Sequence, residues 1–387
     1  MTRTVLTDSD NGVWLENWRC DASSGQGLAG SSRWSISKST LRGGMSHGVD
    51  VVNLDNGELQ MSVLPTRGMG LWRGCYRGIP IEWRSPVIRP VHPQFVNLKD
   101  RNGLGWLNGF NEFMCRCGLS FNGPPGVDGG TDVTLHGKVA NLPAHRVSAD
   151  VCDRGLGTLS VTGEVDETTM FGPALRLRST VSTVVGSNSV VIRDVVTNMG
   201  AQATDLEILY HTNIGRPFME EGARFVAPVA MIAPRDDHSA NGAGRFDIYP
   251  GPIVGVKEEA FFFEMLADAN GHTRVMLVNA AGDRGLSLDY SVKELPYFTL
   301  WKNPQADADG YVTGLEPGTN LPNFRSFERE RGRVISLQSG ASYECGFEMR
   351  IFDNAHDVRA EADVIRAMQV VEPQQHSKPI ERFSPLS

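Results

Sequence analysis

The sequence has no run approaching the roughly 20 apolar residues that a membrane-spanning helix requires. It has no basic excess either: 37 Lys and Arg stand against 45 Asp and Glu, a formal net charge of −8. That balance argues against nucleic acid or an anionic membrane surface as a partner. Cysteine is scarce. The six present are Cys20, Cys75, Cys115, Cys117, Cys152 and Cys345. Their scatter suggests no disulfide framework, and no second pair completes a zinc site with Cys115 and Cys117. The opening MTRTVLTDSDNGVW lacks the apolar core of a signal peptide. The expectation is a cytoplasmic, reduced, soluble protein.

Cofactor and nucleophile motifs are also missing. There is no Walker A sequence and no H-E-x-x-H, and the nine histidines are dispersed. Sequence spacing alone therefore supports no metal site, and a metal assembled from distant strands stays open. GMSHG (44–48) matches G-x-S-x-G, but VDVVNL follows where a nucleophile elbow needs a helix. GMGLWRG (68–74) and GLGWLNG (103–109) each miss G-x-G-x-x-G by one residue, and neither lies between a strand and a helix.

What the chain does have is many short β-rich runs, punctuated by 42 glycines and 21 prolines. They include 49–54, 59–64, 158–165, 175–185, 189–198, 205–211, 274–280 and 343–352. In ALRLRSTV, Leu175 and Leu177 alternate with Arg176 and Arg178, the period-2 signature of a strand with one buried face. Turn signals such as DNG (55–57) and VGSNS (185–189) separate the runs. Many short antiparallel strands predict an all-β sandwich or barrel. One helix is expected at 356–369, with Val358, Ala362, Ile365 and Met368 on one face. Residues 86–135 are rich in Gly, Asn and Pro with weak periodicity, which suits a lid or pocket wall. The whole of 1–387 reads as one domain, with an N-terminal extension over 1–40 and a loosely held polar tail over 371–387.

Three segments place an ionisable residue beside Gly, Asn or Pro at an expected strand boundary: TLHGK (134–138), LYHTNIGRPF (209–218) and VTGLEPGTNLPN (312–323). They supply His136, His211 and Glu316. Glu316 lies between Leu315 and Pro317, an apolar setting that would raise a carboxyl pKa towards a useful range. Each residue singly is compatible with an ordinary structural role. Two histidines and a carboxylate together make a kit for moving protons on and off sugar oxygens.

In their order and wording these segments resemble the aldose 1-epimerase (galactose mutarotase) superfamily: TLHG, then YHTNIG, then GLEPGTNLPN, then the closing ISLQSGASYECGFEMRIF. GVDVVNLDNGELQMSVLPTRGMGLWRGCYRGIPIEWRSP and FTLWKNP resemble a poorly characterised branch of unknown function within it. The resemblance covers roughly residues 45–352. It implies a large antiparallel β-supersandwich with a carbohydrate cleft on one face. It also implies roles: His211 protonates the ring oxygen, Glu316 takes the anomeric hydroxyl proton, and His136 positions the sugar. Ring opening, rotation and reclosure then interconvert anomers without a cofactor. The expected partner is a small carbohydrate; the oligomeric state is open.

Departures from the family pattern alter the expected sugar-binding wall. Asn213 replaces an aromatic residue, the family's arginine has only a loose counterpart, for which Arg116 is the candidate, and its substrate-binding aspartate has no clear match, with Asp236 in APRDDH the candidate. Arg67 and Trp301 are further candidates, for hydroxyl or carboxylate contacts and for stacking on a sugar face. His92 and His47 lie in loop-like segments that could reach the cleft. Two other readings of the same residues stay open at this level. One is isomerisation, epimerisation or elimination on a keto-sugar, with a metal assisting. The other is a carbohydrate-binding protein without catalysis.

Overall fold

The computed structural model describes residues 2–24, 33–155 and 157–386. Two large sheets face each other across a shared core. The first has ten strands. Its centre is a meander of Arg146–Cys152, Thr158–Thr168, Ala174–Val184 and Ser189–Asn198, continued by Ser342–Phe352, Gly285–Ser291 and His272–Val278. The second has twelve strands in its main path and two side pairings. It runs through Leu59–Leu64, Gly70–Tyr76, Met114–Leu119, Thr204–Ile214, Val312–Gly318, Tyr297–Asn303 and Glu259–Met265. These ladders are antiparallel.

The period-2 runs become strands almost where the pattern puts them. Leu175, Leu177 and Val181 point into one buried cluster with Ile208, Tyr210, Leu300 and Leu315 of the opposite sheet. Each such side chain contributes roughly 1.5–3 kcal/mol of burial free energy. The helix is Ala355–Ala367, capped by the Asn354 side chain at the Asp357 N–H. It buries Val358, Ala362 and Ile365.

Three expectations are revised. The histidine strand continues through Ile214, so His211 lies inside it rather than at its end, and Glu316 likewise sits within Val312–Gly318. Residues 86–135 contain a central strand, Met114–Leu119, whose MCRCGL pattern carries no apolar alternation because both of its faces are covered. The tail is held: Gln374–Gln375 pairs with Met231 and Ile232, and Phe383 packs with Ala233, Phe262 and Leu321. At the other terminus, Thr2–Asp8 pairs with Arg146–Cys152.

Candidate functional site

The site grows from one rule of strand geometry: successive side chains alternate between faces. In Thr204–Ile214, Leu206, Ile208 and Tyr210 enter the inter-sheet core. Leu209, His211 and Asn213 therefore point out of the other face, where Leu209 packs with Trp83, Trp106, Phe110, Cys115 and Cys117. The register pairs Leu209 with Gly318 and Thr212 with Leu315, which sets His211 opposite Glu316 on the adjoining strand. His211 Nε2 lies 3.1 Å from Glu316 Oε1, with both residues buried. The contact is off the line of a good hydrogen bond, and Oε1 has no hydrogen-bond partner among the described residues. Gly314 opposes Trp301 and leaves the space beside it to the Glu316 carboxylate.

Asn213 fixes the imidazole. Its Nδ2 donates to Glu112 O at 2.9 Å and to His211 O at 3.2 Å. With both amide hydrogens spent, its Oδ1 faces His211 Nδ1 at 2.6 Å as an acceptor. The ring proton must therefore sit on Nδ1, and Nε2 is the nitrogen free for chemistry. Burial lowers the His211 pKa to about 4, against the opposing pull of the Asn213 hydrogen bond. Burial, reinforced by Glu258 and opposed by Arg235, raises Glu316 well above the carboxylate range. Burial thus favours the uncharged form of both groups, leaving one exchangeable proton on the pair besides the Nδ1 hydrogen.

His136 completes the trio from a turn. Its backbone is left-handed, φ 56°, an uncommon conformation for a non-glycine residue and of the kind that collects at functional sites. Hydrogen bonds from His136 N to Gly123 O and from Gly118 N to His136 O hold it there, both near 3 Å. The ring centroid is 5.8 Å from that of His211 and 4.9 Å from Trp106. Burial and the neighbouring His211 lower its pKa. Its Nδ1 and the Trp106 Nε1 are buried without a partner among the described residues.

Aromatic side chains wall the pair. The ring centroids of Phe110 and Trp301 lie 5.1 Å and 5.2 Å from that of His211, and Trp106 packs against Phe110 at 4.5 Å with the rings tilted. Trp301 Nε1 donates to Glu258 Oε2 at 2.8 Å, which orients the indole. Glu258 Oε1 and Asp236 Oδ2 together hold Arg235, at 3.1 Å and 2.9 Å. Arg235, Asp236 and Glu258 line a cavity of ≈ 620 Å³.

Two expected sugar contacts do not reach this face. Arg116 alternates with Cys115 and Cys117, so it points into the core beside Tyr210. There it is clamped to Asp194 and Ser179 of the opposite sheet and to the carbonyls of Gly68 and Met69. Arg67 is buried and engaged by Glu112, Asn141 and Gly109 O, and so braces the loop that carries Trp106. Asn213 contacts the catalytic candidate rather than offering a free edge. His92 accepts from Gln94 N through its ring and turns its own chain. Trp106, Phe110, Arg235 and Glu258 were missed as site residues. The first two lie in the segment expected to be a pocket wall, and Arg235 adjoins Asp236; no motif marks any of them.

The model of a family described as a domain of unknown function, DUF4432, matches residues 46–351. The chain belongs to this family. A DUF4432 chain with this sequence is 37% identical to a protein of known crystal structure from Klebsiella pneumoniae, provisionally named an aldose 1-epimerase. The match covers 98% of this chain and 99% of that one, at a TM-score of 0.94. More distant structures share the fold. They include a galactose mutarotase-related enzyme from Lactobacillus acidophilus (12% identity, TM-score 0.53, covering 79% and 98% of the two chains). Another is a galactose mutarotase-like protein from Clostridium acetobutylicum (13%, TM-score 0.54, covering 81% and 97%). No curated protein matches the DUF4432 chain. The supersandwich expected from the sequence is the fold observed. No helix among the described residues is long and apolar enough to cross a membrane. Among the same residues, no group of three or more His, Cys, Asp or Glu is placed to hold a metal ion.

Proposed function

We propose that this protein interconverts the anomers of a free or modified sugar by general acid–base ring opening and closure. The observation that carries this reading is the His211–Glu316 contact: a buried acid and base on adjacent strands with matched, unspent hydrogen-bonding atoms. Ring opening needs one proton delivered to the ring oxygen and one removed from the anomeric hydroxyl. A pair holding a single proton supplies both at once: the atom with the proton is the acid, the other the base, and the roles exchange on reclosure. Burial keeps water out and tunes both groups away from their solution values. Burial disfavours charge on either group, which favours a resting Glu316 carboxyl and a neutral His211; in this reading Glu316 is the acid and His211 Nε2 the base of the opening step, the reverse of the roles the resemblance implies. His136 Nδ1 and Trp106 Nε1 offer further contacts for sugar hydroxyls, and Phe110 and Trp301 offer apolar faces for the C–H side of the ring.

The test is saturation-transfer NMR of anomeric exchange over neutral, deoxy, acidic and phosphorylated sugars, comparing wild type with Glu316→Gln and His211→Asn. Exchange well above the buffer rate, lost in both variants, supports the reading. A folded protein that binds one of these sugars without accelerating its exchange refutes it.

A further inference from the structure

The acid–base pair is linked to a second region through one carboxylate. Glu258, which holds the Trp301 indole beside His211, also lines the ≈ 620 Å³ cavity together with Arg235, Asp236, His238, Lys257 and Gln305. Glu258 fixes Trp301, whose ring stands 5.2 Å from His211, and also holds Arg235 at 3.1 Å, whose charge lowers the pKa of both His136 and Glu316. A sugar whose anomeric carbon meets His211 and Glu316 would thus point its far edge at Arg235 and Glu258. Beyond them the cavity is of the size that receives drug-sized ligands, ~300–1,000 Å³.

The chemistry of that space is specific. Arg235 spends Nε on Asp236 and one Nη on Glu258, which leaves its Nη1 without a partner among the described residues. Lys257 is exposed at the rim. Two cations thus stand against two carboxylates, so the cavity has no net charge to draw a phosphate or carboxylate. What it offers is alternating donors and acceptors: guanidinium, ammonium, carboxylate, imidazole and the Gln305 amide. Adjacent hydroxyl groups, each both donor and acceptor, match such a lining. A charged substituent would disturb its balance.

Resting on the anomer-exchange reading, we infer that the cavity is a second, uncharged sugar subsite, and that the substrate is a reducing disaccharide or a longer reducing glycan. Its reducing ring lies at His211 and Glu316, and its next ring lies against Arg235, Glu258 and Gln305.

The experiment measures binding and anomeric exchange separately on the full chain. The probes are glucose and galactose against maltose, cellobiose, lactose and melibiose, with binding followed by calorimetry. Val256, in the cavity wall and outside the acid–base machinery, is replaced by a space-filling residue, Val256→Trp; Gln305→Ala is the second variant. At least one disaccharide is expected to bind fivefold or more tighter than its own reducing monosaccharide. Val256→Trp should abolish that gain, and Gln305→Ala should reduce it, with monosaccharide affinity kept within twofold. A gain below fivefold for every disaccharide, or variants that weaken both classes equally, overturns the subsite. Disaccharide binding without exchange keeps the subsite and removes the anomer-exchange reading. Exchange confined to monosaccharides does the reverse.

Discussion

Adding one methyl group at Gly314 should disable the acid–base pair while leaving the fold in place. A Cβ built there would sit 2.2 Å from Glu316 Oε1 and 3.1 Å from its Cδ. Ordinary contact needs about 3.5 Å, so the carboxylate must retreat by ~1 Å or more. The obstacle meets the end of a flexible side chain rather than backbone. The stability cost is therefore small, and part of it is offset by the roughly 0.5–1 kcal/mol that alanine gains over glycine inside a strand. The functional cost is large, because Oε1 is the atom 3.1 Å from His211 Nε2. Misplacement by ~1 Å at a reacting centre costs about 10²-fold in rate, or ~2.7 kcal/mol. Gly314→Ala should thus lower kcat/KM for anomeric exchange about a hundredfold, with a melting temperature within a few degrees of wild type. Nitrogen-15 NMR of the His211 ring gives a second readout that does not depend on turnover: the Nε2 shift should move towards that of an imidazole free of the carboxyl. Wild-type exchange together with an unchanged ring shift would refute the argument.

Other outcomes follow from the same geometry. Asn213→Leu removes the acceptor that pins the proton to His211 Nδ1 and should cost ten- to a hundredfold in exchange, with the ring populating both tautomers by NMR. Arg116→Met leaves Asp194 as an uncompensated buried charge and should cost about 3–5 kcal/mol of unfolding free energy by denaturant titration, whereas the same change at an arginine reading substrate would spare stability. The rate should fall on the acid side as His211 takes a second proton near pH 4, and on the alkaline side as Glu316 loses its proton; a flat profile would remove the shared-proton pair. Stability should also peak in mildly acidic solution. The unfolded chain protonates His211 below pH 6.5 while the folded one resists until about 4, so stability drops as pH falls through that window. Glu207, raised by burial to about 8, stays protonated in the folded state while the unfolded chain ionises above 4.5, so its contribution is lost as pH rises between those values, at up to ~1.4 kcal/mol per pH unit. Thermal melts across pH 4–9 would show both limbs.

Much of this protein is written locally in its sequence. Ser189–Asn198 and Leu59–Leu64 begin and end where alternation and turn residues put them, because a strand with one buried face needs nothing beyond its own period. The helical face of Val358, Ala362 and Ile365 is equally local. His136, His211 and Glu316 stood out as proton carriers among glycine, asparagine and proline, and the resemblance ordered them into one kit. What the sequence by itself left open was which face of a strand meets the cleft. Cys115, Arg116 and Cys117 are consecutive, and one step of register separates an arginine in the cleft from one bound to Asp194 in the core. That register comes from pairing with Thr204–Ile214, about ninety residues away, and MCRCGL carries no alternation to announce it. Arg67 looked available beside its glycines until Glu112 and Asn141, far along the chain, closed on its guanidinium. Trp106 and Phe110 come from one loop, and Arg235 and Glu258 from the ends of two paired strands. That the loop reaches the His211 ring, and that Glu258 holds Trp301 beside it, is a matter of long-range contact, which only the packed sheets decide.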